Sequence, residues 1–533
     1  MHFKSMVLAS VAVFSPVLTD AAEKVDVLVY SGNPGGIAAA IVAARAGQEV
    51  VVVEPYKWVG GLITNGINTA ESRHLLLWTI GGFADEFYRR MGDVYGSGEP
   101  EYFFESSVAL KVYDAMLAEA GVKVLKGLRL EAVEKADGKI GSVRFTDGTQ
   151  MEAGVFIDAS YEGDLMAMAG VSYAVGRESR EEYGEDLAGI RFERETRKAR
   201  TVDEKGELLP GLVGWANDFK AGDAHRGVMN YNFRLTVTTN EKLRVPFPEP
   251  EVYDAGRYAI LAEWFAQKAA RNQATRLHDV IDLYGRRNSK IEMNNKQAAI
   301  ISLGNFGAQF DWPEGSAETR DEIYKDHWNY TLGLLKFLAE DESVPENVRK
   351  EMRSYGLHKD EFVENGNLPE QLYVREGRRM KGEFVVRQQD VQEDRRKEDS
   401  IGMSSHFIDS HHVQRLAVSE DEFVNEGRIW RKGYAYQIPY RSIVPRKDEC
   451  TNLLVPVASS FSHVAFSTLR LESVWMITGH AAGLAAVMAN KAGVAVQDVD
   501  VSELQARLIK EGQVVNFVEG EKEIAPASGL PEF

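Results

Sequence analysis

The sequence has almost no cysteine: Cys450 is the single one in 533 residues. No intramolecular disulfide can form, and no C-x-x-C pair exists for dithiol–disulfide chemistry. A cysteine-ligated iron–sulfur cluster needs several thiolates, so this chain alone cannot hold one. Cys450 itself, between Glu449 and Thr451, reads as a partly buried, inert thiol. Past the first stretch of the chain, no segment reaches ~18 uncharged apolar residues, so no membrane span is expected. Basic charge is scarce too. The 62 Lys and Arg face 80 Asp and Glu, a formal charge of −18, which argues against nucleic acid and anionic membrane as partners. There is no internal repeat and no low-complexity linker.

Residues 1–21 read as a signal peptide. Lys4 supplies a basic start, 6–18 are mostly apolar, and Thr19-Asp20-Ala21 places small residues at both cleavage positions. That implies a secreted or periplasmic protein.

The best-organised stretch runs over residues 25–54. It reads as an apolar strand (25–30), the turn Ser31-Gly32-Asn33-Pro34-Gly35-Gly36, an alanine-rich helix (37–46) closed by Gly47, and a second strand ending in Glu54. This is the dinucleotide-binding βαβ plan. The turn brings backbone close to a pyrophosphate, the helix start offers N–H groups and a positive dipole, and the acid takes a ribose diol. In G-x-G-x-x-G register Ser31 takes the first glycine, Asn33 the second and Gly36 the third. An ordinary crossover, with glycines for close packing alone, is the competing reading.

Gly60-Gly61-Leu62-Ile63-Thr64-Asn65-Gly66 follows the acid as a loop able to wrap a ligand. With the turn 30–40 and Glu54-Pro55, it resembles the FAD-dependent oxidoreductase family, common among secreted bacterial proteins and sometimes labelled xanthan lyase. The resemblance continues through the return strand 154–159, Asp158-Ala159-Ser160-Tyr161-Glu162-Gly163-Asp164, and Arg470-Leu471-Glu472-Ser473. It implies an α/β fold: a Rossmann-like FAD-binding domain of glutathione-reductase type, interrupted by a mixed α+β substrate or cap domain. The parts are 22–175, the insert 176–434, the return 435–511 and a loose tail 512–533. FAD is the implied cofactor. Its contacts fall on Ser31, Gly32, Gly35, Gly36, Glu54, Gly60, Gly61 and Asn65, and on the backbone of Ala159 and Ser160. Ser459 and Ser460 stand where many flavoproteins have a Gly-Asp pair, so Ser460 is the candidate ribityl contact. Asp158 is given a structural role.

Helices are expected over 80–91, 107–120, 253–270, 320–338, 344–355, 474–491 and 501–511. Strands are expected over 122–125, 128–134, 140–145, 230–237, 371–374 and 452–458. In the helix 474–491, Gly479 and Gly483 share one face and permit close packing. Four residues are candidates for chemistry. His463 would stand beside the flavin as a base or hydrogen-bond partner, and Arg470 as an anion clamp. His412, beside Asp409, and Arg375 would come from the cap. Packed or ion-paired structural roles compete for each. His411 and His412 are adjacent and point opposite ways, so they do not share a metal, and no metal site is assigned. The sequence holds no second strand–glycine turn–helix unit for NAD(P)H. The reaction implied is therefore hydride transfer to FAD from a small organic substrate, with an electron acceptor that the sequence does not name; secretion and the associations of the family it resembles suggest a sugar or sugar-derived alcohol. A redox-neutral elimination on a polysaccharide and a non-catalytic binding module are the rival readings.

Overall fold

The computed structural model describes residues 22–69 and 71–525, so the segment read as a signal peptide and the last eight residues lie outside it. The valine-rich strands β1 (Glu23–Tyr30) and β2 (Val50–Glu54) flank helix α1 (Pro34–Arg45). Helices α2 (Gly82–Tyr95) and α3 (Ser106–Glu119) lead to β3 (Lys123–Lys126). The meander β4 (Leu130–Ala136) and β5 (Lys139–Phe145) precedes β6 (Gln150–Asp158), and β7 (Leu453–Leu454) returns to the sheet near the end of the chain. The order is β3-β2-β1-β6-β5-β4, with β7 also on β6. β1, β2, β3, β6 and β7 run parallel, while β4 and β5 are antiparallel. The register pairs Tyr30 with both Val53 and Asp158. Three strand ends therefore open on one crevice, where ligands bind in sheets of this type.

Helix α4 (His463–Leu469) bends by 92° into α5 (Glu472–Ala492), which is buried almost along its length. The glycines of α5 have a definite partner. A Cβ at Gly479 would lie 2.0 Å from the Gly35 carbonyl oxygen, and one at Gly483 would lie 2.4 Å from that of Ala39. α5 thus lies backbone against backbone on α1. No single helix among the described residues is long and apolar enough to cross a membrane.

The middle of the chain builds a five-stranded sheet in the order Arg244–Val245, Gly356–His358, Leu235–Thr238, Ile291–Asn295, Ile281–Gly285. The helix Ala317–Glu340 packs beside it. Several expectations are corrected. The strand expected over 230–237 is confined to Leu235–Thr238. Residues 371–374 form no ladder, although Leu372, Tyr373 and Val374 are each buried. The hairpin of Ile281–Gly285 and Ile291–Asn295 was not expected; in its second strand Glu292 is buried between Arg234 and Arg286. Helix α4 stands where a loop was expected, capped by the Ser462 hydroxyl on the Ala465 N–H. The tail is not loose over 512–525. Gln513 donates to the carbonyls of Ile401 and Ile477, Ser400 donates to that of Val515, and the Ala525 N–H reaches that of Gly433.

Candidate active site

The turn after β1 works without glycine at its first position because Ser31 itself adopts φ +73°. Left-handed backbone is uncommon outside glycine and costs energy that the surroundings must supply. Gly36 is sterically required: a Cβ there would lie 2.0 Å from the Ser31 carbonyl oxygen. Asn33 is the N-cap of α1. Its Oδ1 accepts from the Gly36 N–H at 3.0 Å, and its amide donates to the carbonyl of Ala159. Glu54 accepts from the Gly32 N–H at 2.6 Å and from the Tyr56 N–H at 2.9 Å. Burial pushes its carboxyl up to about 8, against the pull of those two bonds. The N–H groups of Gly32 and Gly36 are thus satisfied within the protein.

A cavity of about 560 Å³ opens at this strand edge. Ser31, Tyr56, Arg129 and Leu130 line its sheet side, and Trp312, Gln371 and Arg378 its cap side. Pro55, which follows Glu54, lines it as well. Tyr161 stands between this cavity and the start of α5. Its hydroxyl donates to Glu472 Oε1 at 2.7 Å and accepts from the Leu62 N–H at 3.1 Å. A Cβ on Gly61 would lie 2.1 Å from that hydroxyl oxygen, so the diglycine loop makes room for Tyr161. Beside it, Glu472 Oε2 and Trp475 Nε1 are buried with no partner. Such orphaned polar atoms are costly and mark a place that a ligand completes. They fit the polar ring system of FAD.

The other expected cofactor residues are placed as follows. Asn65 donates to the Gly61 carbonyl at 2.9 Å and accepts from the N–H groups of Glu370 and Gln371, which ties the loop to the cap. Ala159 continues from β6, its N–H on the Tyr30 carbonyl. Ser160 bonds Asp158 and accepts from the N–H groups of Gly163 and Asp164. Asp158 also caps Met166. Ser460 accepts from the Gly382 N–H, and its own N–H donates to Ser442. The polar atoms of Ser160 and Ser460 are therefore engaged inside the protein.

Among the catalytic candidates, His463 has the most distinctive setting. It is the first residue of α4 and is 1% exposed. Its Nδ1 lies 2.8 and 3.0 Å from the two oxygens of Glu376. A carboxylate on Nδ1 makes that nitrogen the donor and leaves a lone pair on Nε2, which is buried and unpartnered. Arg379 holds the same Glu376 at 2.9 Å. Arg470 and Arg375 converge on Tyr373. Arg470 donates to the Tyr373 hydroxyl at 3.0 Å and also binds Asp409, while the Arg375 guanidinium stacks 4.3 Å from the ring centre. Arg375 otherwise donates to the Asn230 carbonyl and the Asn232 side chain, and burial pushes its guanidinium down to about 9. His412 is elsewhere, with Nε2 on Glu193 at 2.7 Å and Phe306 beside the ring. The sequence reading missed Glu376, Tyr161, Glu472 and Tyr373. Tyr161 and Glu472 lie inside motifs it quoted, Ser160-Tyr161-Glu162 and Arg470-Leu471-Glu472-Ser473, and Glu376 directly follows its candidate Arg375, so a large ring in a small-residue turn and carboxylates beside arginines were available as signals.

The thiamine thiazole synthase of Methanococcus aeolicus is 30% identical over 136 residues, 25% of this chain and 50% of that protein. The same enzyme of Methanococcus vannielii is 29% identical over 144 residues, 25% of this chain and 51% of that protein. This chain thus spans about half the length of the curated relatives it matches. A solved geranylgeranyl bacteriochlorophyll reductase-like protein from Thermoplasma acidophilum aligns over 92% of this chain and 84% of its own, at 12% identity and a TM-score of 0.36. The family model described as FAD dependent oxidoreductase matches residues 26–508. The chain belongs to the FAD dependent oxidoreductase family, and its cofactor is FAD.

Proposed function

We propose that the protein oxidises a small organic alcohol, a sugar or sugar derivative, in a secreted or periplasmic setting. The observation that carries this reading is the His463–Glu376 pair with its free, buried Nε2. Bound FAD supplies the hydride acceptor. His463 Nε2 takes the hydroxyl proton as the C–H hydride leaves, so the alcohol becomes a carbonyl. Glu376, itself held by Arg379, keeps the imidazole in the tautomer with Nε2 free and stabilises its protonated form. Arg470 and Arg375, both buried on Tyr373, bind an anionic or electron-rich part of the substrate. The closed packing around α4 keeps bulk water from the transferred proton.

A second reading, a flavoprotein fold kept as a binding module, is favoured by one observation: the Tyr161 hydroxyl sits against Gly61 and on Glu472. One experiment separates the two. The purified protein is reconstituted with FAD, and candidate sugars and sugar alcohols are added without oxygen. A yellow protein bleached by one substrate class supports oxidation. A colourless protein that takes up FAD only after Tyr161→Ala supports the binding module and overturns the enzyme.

A further inference from the structure

A separate cluster of acceptors lies at the base of the loop between β2 and α2. Glu71, in left-handed backbone at φ +56°, faces His406 and Asp409 of the cap. One ligand atom from each residue lies within 4.8 Å of the other two. We propose that Glu71, His406 and Asp409 bind one divalent cation of the class that accepts mixed nitrogen and oxygen ligands, such as Mn²⁺, Fe²⁺, Co²⁺ or Zn²⁺.

The argument rests on what each atom can do. His406 Nδ1 lies 3.0 Å from the carbonyl of Phe407, so Nδ1 carries the hydrogen and Nε2 a lone pair. His406 is fully buried, and Nε2 has no partner. Asp409 binds Arg470 through Oδ2 at 3.1 Å, while its Oδ1 is buried and unpartnered. Glu71 is 21% exposed in its side chain and has Arg234 at 3.8 Å. Three acceptors therefore converge without a donor among them. A water molecule has two hydrogens for three lone pairs, whereas a cation satisfies all of them. The flanking groups match metal chemistry: a backbone carbonyl fixes the imidazole tautomer, and a guanidinium orients the carboxylate, as outer partners of metal ligands do. The ring of His74 stacks on His406 at 5.9 Å.

Arg234 is mainly occupied by Glu292, and Arg470 also binds the Asp409 carbonyl and the Tyr373 hydroxyl. Nitrogen and oxygen donors sit ~2.1 Å from such an ion, so neighbouring donors stand ~3.0–3.4 Å apart, and binding would draw the three ligand atoms inward from their spread of up to 4.8 Å. An imidazole ligand disfavours Mg²⁺ and Ca²⁺, which take oxygen shells. Three protein ligands leave at least one position for water or a substrate oxygen.

The test uses the full chain stripped with a chelator and titrated with Mn²⁺ alone, followed by the loss of the free-ion electron paramagnetic resonance signal. One equivalent should bind, and Co²⁺ should give visible d–d absorption. Glu71→Gln, nearly isosteric and at the open rim, and His406→Gln should each weaken Mn²⁺ by at least tenfold. Circular dichroism reports whether each variant is folded, and if His406→Gln is not, Glu71→Gln decides. No retained Mn²⁺, or equal affinity in a folded variant, overturns the site.

Discussion

The contact between α1 and α5 and the contact between α4 and the cap are made of opposite materials. In the first, the chain approaches itself by having nothing there: Gly479 and Gly483 bring α5 onto the carbonyls of Gly35 and Ala39. In the second, buried polar and charged groups meet: His463 with Glu376, Ser462 with Glu185, and Arg470 with Asp409. The first contact should tolerate no added atom and ignore pH. The second should tolerate a change of shape better than a change of charge. The two contacts meet at the bend between α4 and α5.

The largest effect should come from filling the first contact. Gly479→Val places carbon 2.0 Å from a backbone oxygen that cannot move alone. The cost should exceed the ~1–3 kcal/mol of ordinary overpacking, and we expect little soluble protein. A soluble variant with a wild-type melting temperature would break the comparison. Next, His463→Ala should lower kcat by about 10²–10⁴-fold, the usual worth of a general base. The visible FAD absorbance should be unchanged, and an unchanged kcat would remove His463 from the chemistry. Third is a pH effect confined to the second contact. Burial raises the Glu185 carboxyl from 4.5 to about 7, against hydrogen bonds from Ser462 and Gln388. A group whose folded value is raised stabilises the fold fully below its unfolded value and loses that contribution as pH rises through its folded value. The melting temperature should therefore fall between about pH 4.5 and 7, an effect of roughly 3 kcal/mol. Glu185→Gln should flatten the slope, and an identical slope in both proteins would show that other groups set it. Smallest is the tail: Gln513→Ala removes two side-chain bonds and should cost about 1–2 kcal/mol in chemical denaturation.

What was legible in the sequence follows the same division. The βαβ unit, the meander and the glycine pair of α5 are local patterns, and periodicity and glycine spacing report them. The cap hairpin was invisible because Glu292 looks like a surface residue until Arg234, 58 positions away, covers it. The role of Glu376 was hidden in the same way, since its partner His463 lies 87 residues further on. The expectation that Gly61 approaches a ligand identified a real steric demand but could not tell that Tyr161, 100 positions later, sits against that glycine in this structure. Ser31 in place of glycine was readable only as a departure, and its left-handed φ shows how the turn absorbs it. Buried charge compensated from afar has no signature in one dimension.

The seating of α5 on α1 also has a consequence in time. The surfaces that meet at Gly35 and Gly479 are separated by roughly 440 residues of chain, and contacts of such long sequence separation form slowly. Until α5 emerges from the ribosome, α1 lacks its partner over Gly35 and Ala39, the positions that Gly479 and Gly483 meet. β6 likewise waits for β7. Partly synthesised chains expose the apolar start of the nucleotide sheet and are prone to aggregate. A protein joined first to last in this way depends, during its synthesis, on whatever holds nascent chains apart.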